Sequence, residues 1–240
     1  MAESKTERKV TVILATDVVG YSIKMEENEE QTLKNLKVCQ GIIEGLVKDH
    51  HGRIFNTAGD SVLAEFQSAV EAVICATEFQ NTIKERNNSV GEEEQMEFRV
   101  GVNMGDVVIE GDNLYGDGVN VAARLEALAQ PGGICLSKNV HEIVNKKTDF
   151  QFNDLGEQKV KDTLLHAVDV VIDASHERKV KTKSKSQVPL IAAIVGILVL
   201  GIGGFFYYKN SIQDNVKKSI SSSDRPAILV MPFANQSGKK

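Results

Sequence analysis

Residues 10–22 read VTVILATDVVGYS, a largely apolar run that ends on a carboxylate and a glycine. The part at 10–15 suits a central strand, since a strand buried on both faces need not alternate apolar and polar side chains. Asp17 then falls where the strand ends, and the following Val18, Val19, Gly20, Tyr21 and Ser22 lead into a helical stretch. Downstream, Leu33, Leu36, Cys39, Ile42, Ile43, Leu46 and Val47 recur at helical spacing, which predicts an amphipathic helix closing near His51 and Gly52. Two short extended runs, 53–56 and 61–66, flank Ala58-Gly59 and predict a hairpin.

A second amphipathic helix is expected over 69–83, and 97–109 reads as two strands broken at Gly105-Asp106. A third helix over 119–129 is stopped by Pro131-Gly132-Gly133, with later strands at 133–136 and 167–172. Two helices against one mostly antiparallel sheet, in βαββαβ order, describe a ferredoxin-like α+β core.

With 240 residues and 42% hydrophobic content, the chain has room for one core of ordinary size plus appendages. A formal net charge of -5 argues against a general nucleic-acid binder, which needs a basic surface to neutralise phosphates. Cys39, Cys75 and Cys135 lie far apart with no CxxC pair, so they read as reduced core thiols. His50 and His51 are adjacent rather than spaced for shared ligation, and His141 and His166 read as structural or surface residues.

Residues 1–9 are polar with no apolar stretch behind them, which places the start of the first domain, 10–173, in the cytosol. A lysine-rich linker over 174–187 leads to VPLIAAIVGILVLGIGGFFYY at 188–208, long enough for a bilayer-spanning helix. Arg178, Lys179, Lys181, Lys183 and Lys185 precede it, and the positive-inside bias puts that side in the cytoplasm at a cell membrane. A polar linker over 209–225 and a short strand-like run within 226–240 would then be extracytoplasmic. That last run resembles the first strand of a TolB-like segment and is the expected place for an extracytoplasmic regulator.

Asp17 alone would be an ordinary helix cap, and Asp60, in NTAGDS at 56–61, an ordinary turn residue. Together they say more. Neighbouring strands lie about 5 Å apart, so two such carboxylates are able to converge on divalent ions that substrate phosphates also bind.

Four motifs in order, ATDVVGYS at 15–22, FNTAGDSVLAEF at 55–66, RVGVNMGDVV at 99–108 and YGDGVNVAARLEALA at 115–129, resemble the catalytic domain of the class III adenylyl and guanylyl cyclases. The resemblance covers 10–172. It implies that Asp17 and Asp60 hold two Mg2+ ions, with Mn2+ able to substitute and the Val18 backbone assisting. Residues 18–22 would cover the phosphates, Asn120 would orient the ribose, and Arg124 would stabilise the transition state. Lys161, or Lys159 close by, matches a lysine that contacts the terminal phosphates. The resemblance further implies a head-to-tail homodimer, because the metal aspartates and the Asn/Arg pair come from opposite subunits.

Base choice in this family rests on the positions of Asn56 and Asn113, where adenylyl cyclases usually carry Lys with Asp or Thr, and guanylyl cyclases Glu with Cys. Asparagine at both departs from either pattern, and a carboxamide pairs with adenine or, flipped, with guanine. The surrounding residues resemble bacterial adenylyl cyclases with a C-terminal span, so ATP is the expected substrate, with GTP the alternative. A silent nucleotide-binding dimerisation module is the other reading. A diguanylate cyclase is disfavoured, since no GGDEF-type run occurs.

Overall fold

The computed structural model describes residues 7–173 and 201–205. The chain divides into two compact units, Met1–Val180 and Lys181–Lys240. In the second unit only the helical stretch 201–205 is described. No helix among the described residues is long and apolar enough to cross a membrane. The span expected over 188–208 lies outside the described residues except for 201–205, as do both linkers and the segment 226–240.

The first unit opens with β1 (Glu7–Val18), followed by α1 (Tyr21–Glu27) and α2 (Glu29–Asp49). The hairpin β2 (Arg53–Ala58) and β3 (Ser61–Phe66) leads to α3 (Ala69–Ser89), a 3-10 turn at Glu92–Glu94, and β4 (Phe98–Glu110). Then come β5 (Asn113–Tyr115), α4 (Asp117–Leu128), β6 (Ile134–Ser137), α5 (Lys138–Val144), β7 (Gln151–Val160) and β8 (Thr163–Val171). The strands order as β2-β3-β1-β4-β6-β8-β7, with β5 on β4. The first four strands of that path form the expected ferredoxin-like core.

Local chemistry starts the helices where it should. Asn28 accepts from the Gln31 N–H at 3.1 Å, and Glu29 and Glu30 in the first turn of α2 complement the helix dipole. Ser68 caps α3 by accepting from the Glu71 N–H. The apolar run in β1 serves both faces of the sheet. Val12, Leu14 and Val18 pack under α2, α3 and α5, while Ile13 and Ala15 join Phe55, Val107, Leu114 and Ala122 under α4. All three cysteines are buried in the core, as expected.

Two expectations need correction. Strand β4 runs unbroken, with Gly105 and Asp106 paired to Thr11 and Val10 of β1. Gly105 is not a turn residue but a point of close approach, since a Cβ there would lie 3.0 Å from Gly118 Cα in α4. A Cβ at Gly101 would collide with the backbone of Ala122 and Glu126. Two bare positions on β4 therefore seat α4 directly on the strand, and the Asn103 side chain ties it by donating to the Gly118 carbonyl at 2.9 Å. The helical cover is also fuller than expected: α4 lies on the face opposite α2 and α3, so the central strands are buried on both sides.

Candidate active site

Asp17 stands one residue before the end of β1, directly opposite Arg99 in the β1–β4 register. The Arg99 guanidinium donates to it twice through Nη2, at 3.0 and 2.9 Å, and once through Nε at 3.2 Å. Asp60 follows Gly59 in the β2–β3 turn, where Gly59 takes a φ of 62° that a glycine adopts without strain. Because β3 pairs with β1 up to Thr16 and Val62, this turn folds against the end of β1.

The two carboxylates feel each other's charge. Burial pushes the Asp60 carboxyl above its usual value, and the charge of Asp17 pushes the same way. Its own backbone N–H, the N–H of Val18 and the Arg99 guanidinium pull it down without reversing the shift. Asp17, Asp60 and the Val18 backbone thus form one constellation.

A third carboxyl belongs to it. Glu126, 8% exposed on the inner face of α4, has its pKa raised to about 8, first by burial and then by a hydrogen bond with Asp17 and the charge of Asp17. Its Oε1 lies 3.1 Å from Arg99 Nε, yet makes no hydrogen bond because that N–H points to Asp17. One guanidinium therefore faces three carboxyl groups.

This donor set fits a divalent cation. Hard carboxylate oxygens crowd around a single guanidinium, and one buried oxygen is orphaned, which is where a cation lowers the energy. Among the described residues no group of three His, Cys, Asp or Glu is arranged to enclose a metal by itself. Asp17 and Asp60 would hold such an ion together with substrate phosphates, the usual habit of Mg2+.

The segment after β1 is tied back by a bond from Val19 N–H to the Glu97 carbonyl at 2.8 Å. Gly20 turns the chain with φ 68°, and α1 begins there with no side-chain cap on its first N–H groups. Tyr21 packs inward while Ser22 is exposed.

Asn56 and Asn113 also meet, with Asn56 Nδ2 donating to Asn113 Oδ1 at 3.2 Å. Asn120 and Arg124 lie on α4, the first exposed and the second half-buried with Asp117 at 4.0 Å. Lys161 occupies the exposed β7–β8 turn with φ 53°, and Lys159 pairs with Leu164 at the same end. Strands β4, β6 and β8 separate β7 from β1, so within one chain neither lysine joins the aspartates. A cavity of about 600 Å³ between α3 and the ends of β4 and β8, lined by Gln80, Asn87, Gln95 and Glu97 among others, contains none of the site carboxylates.

The site is thus two neighbouring aspartates, an arginine bonded to Asp17, and an Asn/Arg pair on a docked helix of a three-layer α+β unit. Residues 2–182 match the family model of the adenylate and guanylate cyclase catalytic domain, and the chain belongs to that family.

Among curated relatives, "Putative adenylate cyclase 3" of Rhizobium meliloti (strain 1021) is 46% identical over 67% of this chain. The chain spans about 28% of that relative's length. The crystal structure of an adenylate/guanylate cyclase/hydrolase from Silicibacter pomeroyi is 40% identical, with a TM-score of 0.65 over 70% of this chain and 100% of that one. The crystal structure of the guanylyl cyclase Cya2 is 25% identical, with a TM-score of 0.61 over 69% of this chain and 93% of the other.

Two residues of the constellation escape a motif-by-motif reading. Arg99 opens the quoted run RVGVNMGDVV, and Glu126 lies within NVAARLEALA. A signal for Arg99 is a lone cation on an apolar strand destined to pair with the strand that carries Asp17. For Glu126 it is a carboxylate among the apolar positions of an amphipathic helix, where a charge is costly without a partner.

Proposed function

We propose that this chain is a membrane-anchored adenylate cyclase that converts ATP to 3′,5′-cyclic AMP and pyrophosphate at the interface of a homodimer. The observation that carries the proposal is the meeting of Asp17 and Asp60 at the Val18 backbone, beside Arg99. Two Mg2+ ions held there, or Mn2+ in their place, would acidify the ribose 3′-hydroxyl and offset charge on the phosphates.

The chain's own residues supply the rest. The 3′-oxygen forms a bond to the α-phosphorus as the bond to the β-phosphate oxygen breaks, and pyrophosphate leaves in line. The hydroxyl proton passes to Asp17 or to water. The backbone at residues 18–22 and Lys161 of the partner copy hold the β- and γ-phosphates, with Arg99 the nearest cation on the aspartate side. Asn120 orients the ribose, and Arg124 opposes the charge that grows on the transferring phosphate; preorganised donors of this kind lower a barrier by about 3 kcal/mol. The wide separation of Lys161 from Asp17 along the sheet supports a site completed by a second copy. The apolar run at 188–208 supports the anchor, with the catalytic unit on the cytoplasmic side and a regulator acting on the far side.

A guanylate cyclase is the second reading, and the Asn56–Asn113 pair is compatible with it. Their mutual hydrogen bond leaves one carboxamide oxygen and one NH2 group to face a base. That set matches N6–H and N1 of adenine, and equally N1–H and O6 of guanine.

The test is to supply the full chain with ATP and with GTP in the presence of Mg2+ or Mn2+ and identify the product by mass. Cyclic AMP as the main product, lost in Asp17→Ala, supports the proposal. Cyclic GMP alone reverses the base assignment, and no cyclic nucleotide from either substrate sinks the catalytic reading.

A further inference from the structure

Arg53 opens β2, three positions before Asn56, and all three of its nitrogens are engaged. Its Nε and Nη2 grip Glu65 Oε1 at 2.7 and 2.6 Å, across the β2–β3 register in which the two residues are direct partners. On the other side, Lys9 of β1 meets Glu65 Oε2 at 2.6 Å. The Glu65 side chain is only 12% exposed. Burial alone would raise its pKa, but the bonds from Lys9 and Arg53 outweigh that and hold the carboxyl below its usual value. This ionised Glu65 is a fixed anchor.

The remaining arm of Arg53 points elsewhere. Its Nη1 donates to the carbonyl oxygen of Asp112 at 2.8 Å. Asp112 lies in the tight turn between β4 and β5, which pairs Glu110 with Asn113 and contains Gly111 at φ 61°. The residue immediately after that carbonyl is Asn113, which accepts from Asn56. A turn at the rim of the sheet, attached to a strand of three residues, is thus braced by the strand that carries Asn56.

We infer that Arg53 is a positioning residue: anchored on Glu65, it holds the Asp112 carbonyl and so sets the spacing of Asn113 from Asn56 where the two read the nucleobase. The inference rests on the proposed cyclase function and deepens it. A planar guanidinium serves two partners at a fixed angle, whereas a lysine ammonium is a point charge on a flexible stem. The bonds of Arg53 go to Glu65 and to the Asp112 carbonyl, so its removal acts on base recognition and leaves the reacting groups in place.

The test uses the full chain with ATP and GTP, comparing wild type, Arg53→Ala, Arg53→Lys, Asn113→Ala and the double variant Arg53→Ala/Asn113→Ala. Arg53→Ala is expected to raise KM for the preferred nucleotide about tenfold, with kcat within about twofold and a narrower ratio between the two nucleotides. Arg53→Lys recovers part of the loss. In the Asn113→Ala background the Arg53 substitution adds little, because it acts through Asn113. Wild-type KM in Arg53→Ala, a loss confined to kcat, or a loss that multiplies fully with that of Asn113→Ala overturns the inference. A wild-type chain that makes no cyclic nucleotide from either substrate overturns the cyclase function itself, an outcome recognisable before any variant is compared.

Discussion

Asp17 and Arg99 face each other across the β1–β4 ladder, with one guanidinium nitrogen reaching both carboxylate oxygens at 3.0 and 2.9 Å. The pair is about a quarter exposed, 29% for Arg99 and 21% for Asp17, so removing either member leaves a partly desolvated charge. Arg99→Ala would leave Asp17, Asp60 and Glu126 with no cation among them. We expect it to lower stability by about 1–3 kcal/mol in the absence of divalent ions, with part of the loss recovered on adding Mg2+. Urea unfolding with and without Mg2+ measures both effects.

Glu126 makes stability fall as pH rises. Its carboxyl is neutral in the folded chain up to about pH 8, against an ordinary value of 4.5 when exposed. The folded state therefore binds the extra proton between those values. The stability linked to it is complete below pH 4.5 and is lost as pH climbs through about 8, at up to about 1.4 kcal/mol per pH unit. Glu126→Gln keeps the shape without the proton, so its melting temperature in chelator should exceed that of wild type at pH 8.5 and change less between pH 5.5 and 8.5. A steeper decline in the variant would contradict this account.

His50 links α2 to α3 through Nδ1 to Glu71 and Nε2 to Glu78, both at 2.9 Å. Burial lowers its pKa, but the bonds to the two glutamates more than compensate and hold it above 6.5. The clamp is complete below pH 6.5 and weakens as pH rises through the folded value. Substitution by Gln should cost about 2 °C in melting temperature at pH 6 and almost nothing at pH 9. Equal losses at both pH values would show that the ring acts by shape rather than charge.

Two inactive variants should rescue each other if the site spans two copies. Asp17→Ala and Arg124→Ala damage opposite halves, so a mixed dimer contains one doubly damaged site and one intact site. With random mixing, half the dimers are mixed and each works at one of its two sites, giving about a quarter of wild-type activity. Co-expression followed by a cyclic nucleotide assay checks it; activity no higher than that of either variant alone places the whole site in one chain.

Gly101 offers a packing test free of charge effects. A methyl group there would fall on the backbone of Ala122 and Glu126, which side-chain rotation does not relieve. Gly101→Ala should cost at least about 3 kcal/mol and disable catalysis by displacing α4. Retention of wild-type stability in chemical denaturation would mean that α4 is seated elsewhere.

Much of this architecture was legible where a local pattern carries the information. The run in β1, the hairpin about Ala58-Gly59 and the periodic faces of α2 and α3 each follow from side chains a few residues apart. Asp17 and Asp60 were reachable as carboxylates at a strand end and in a turn, whereas Asn56 and Asn113 were reachable only through the resemblance to the family. The break expected at Gly105 failed because a glycine that admits a neighbouring helix looks, in one dimension, like a glycine that turns the chain. Arg99 and Glu126 were missed for a related reason: their importance arises from cross-strand register and from the docking of α4, neither of which a single element encodes. Strand β7 was hidden too, since most of its residues remain at least partly exposed at the sheet edge, and without a buried face no apolar alternation marks it.

The order of the strands has one more consequence. Since the sheet holds the aspartates and the β7–β8 turn at separate places, an isolated copy under the proposed function is a pair of unfinished halves. Messenger output would then rise with roughly the square of copy number when the protein is sparse, and confining the copies to a surface would switch synthesis on by crowding alone.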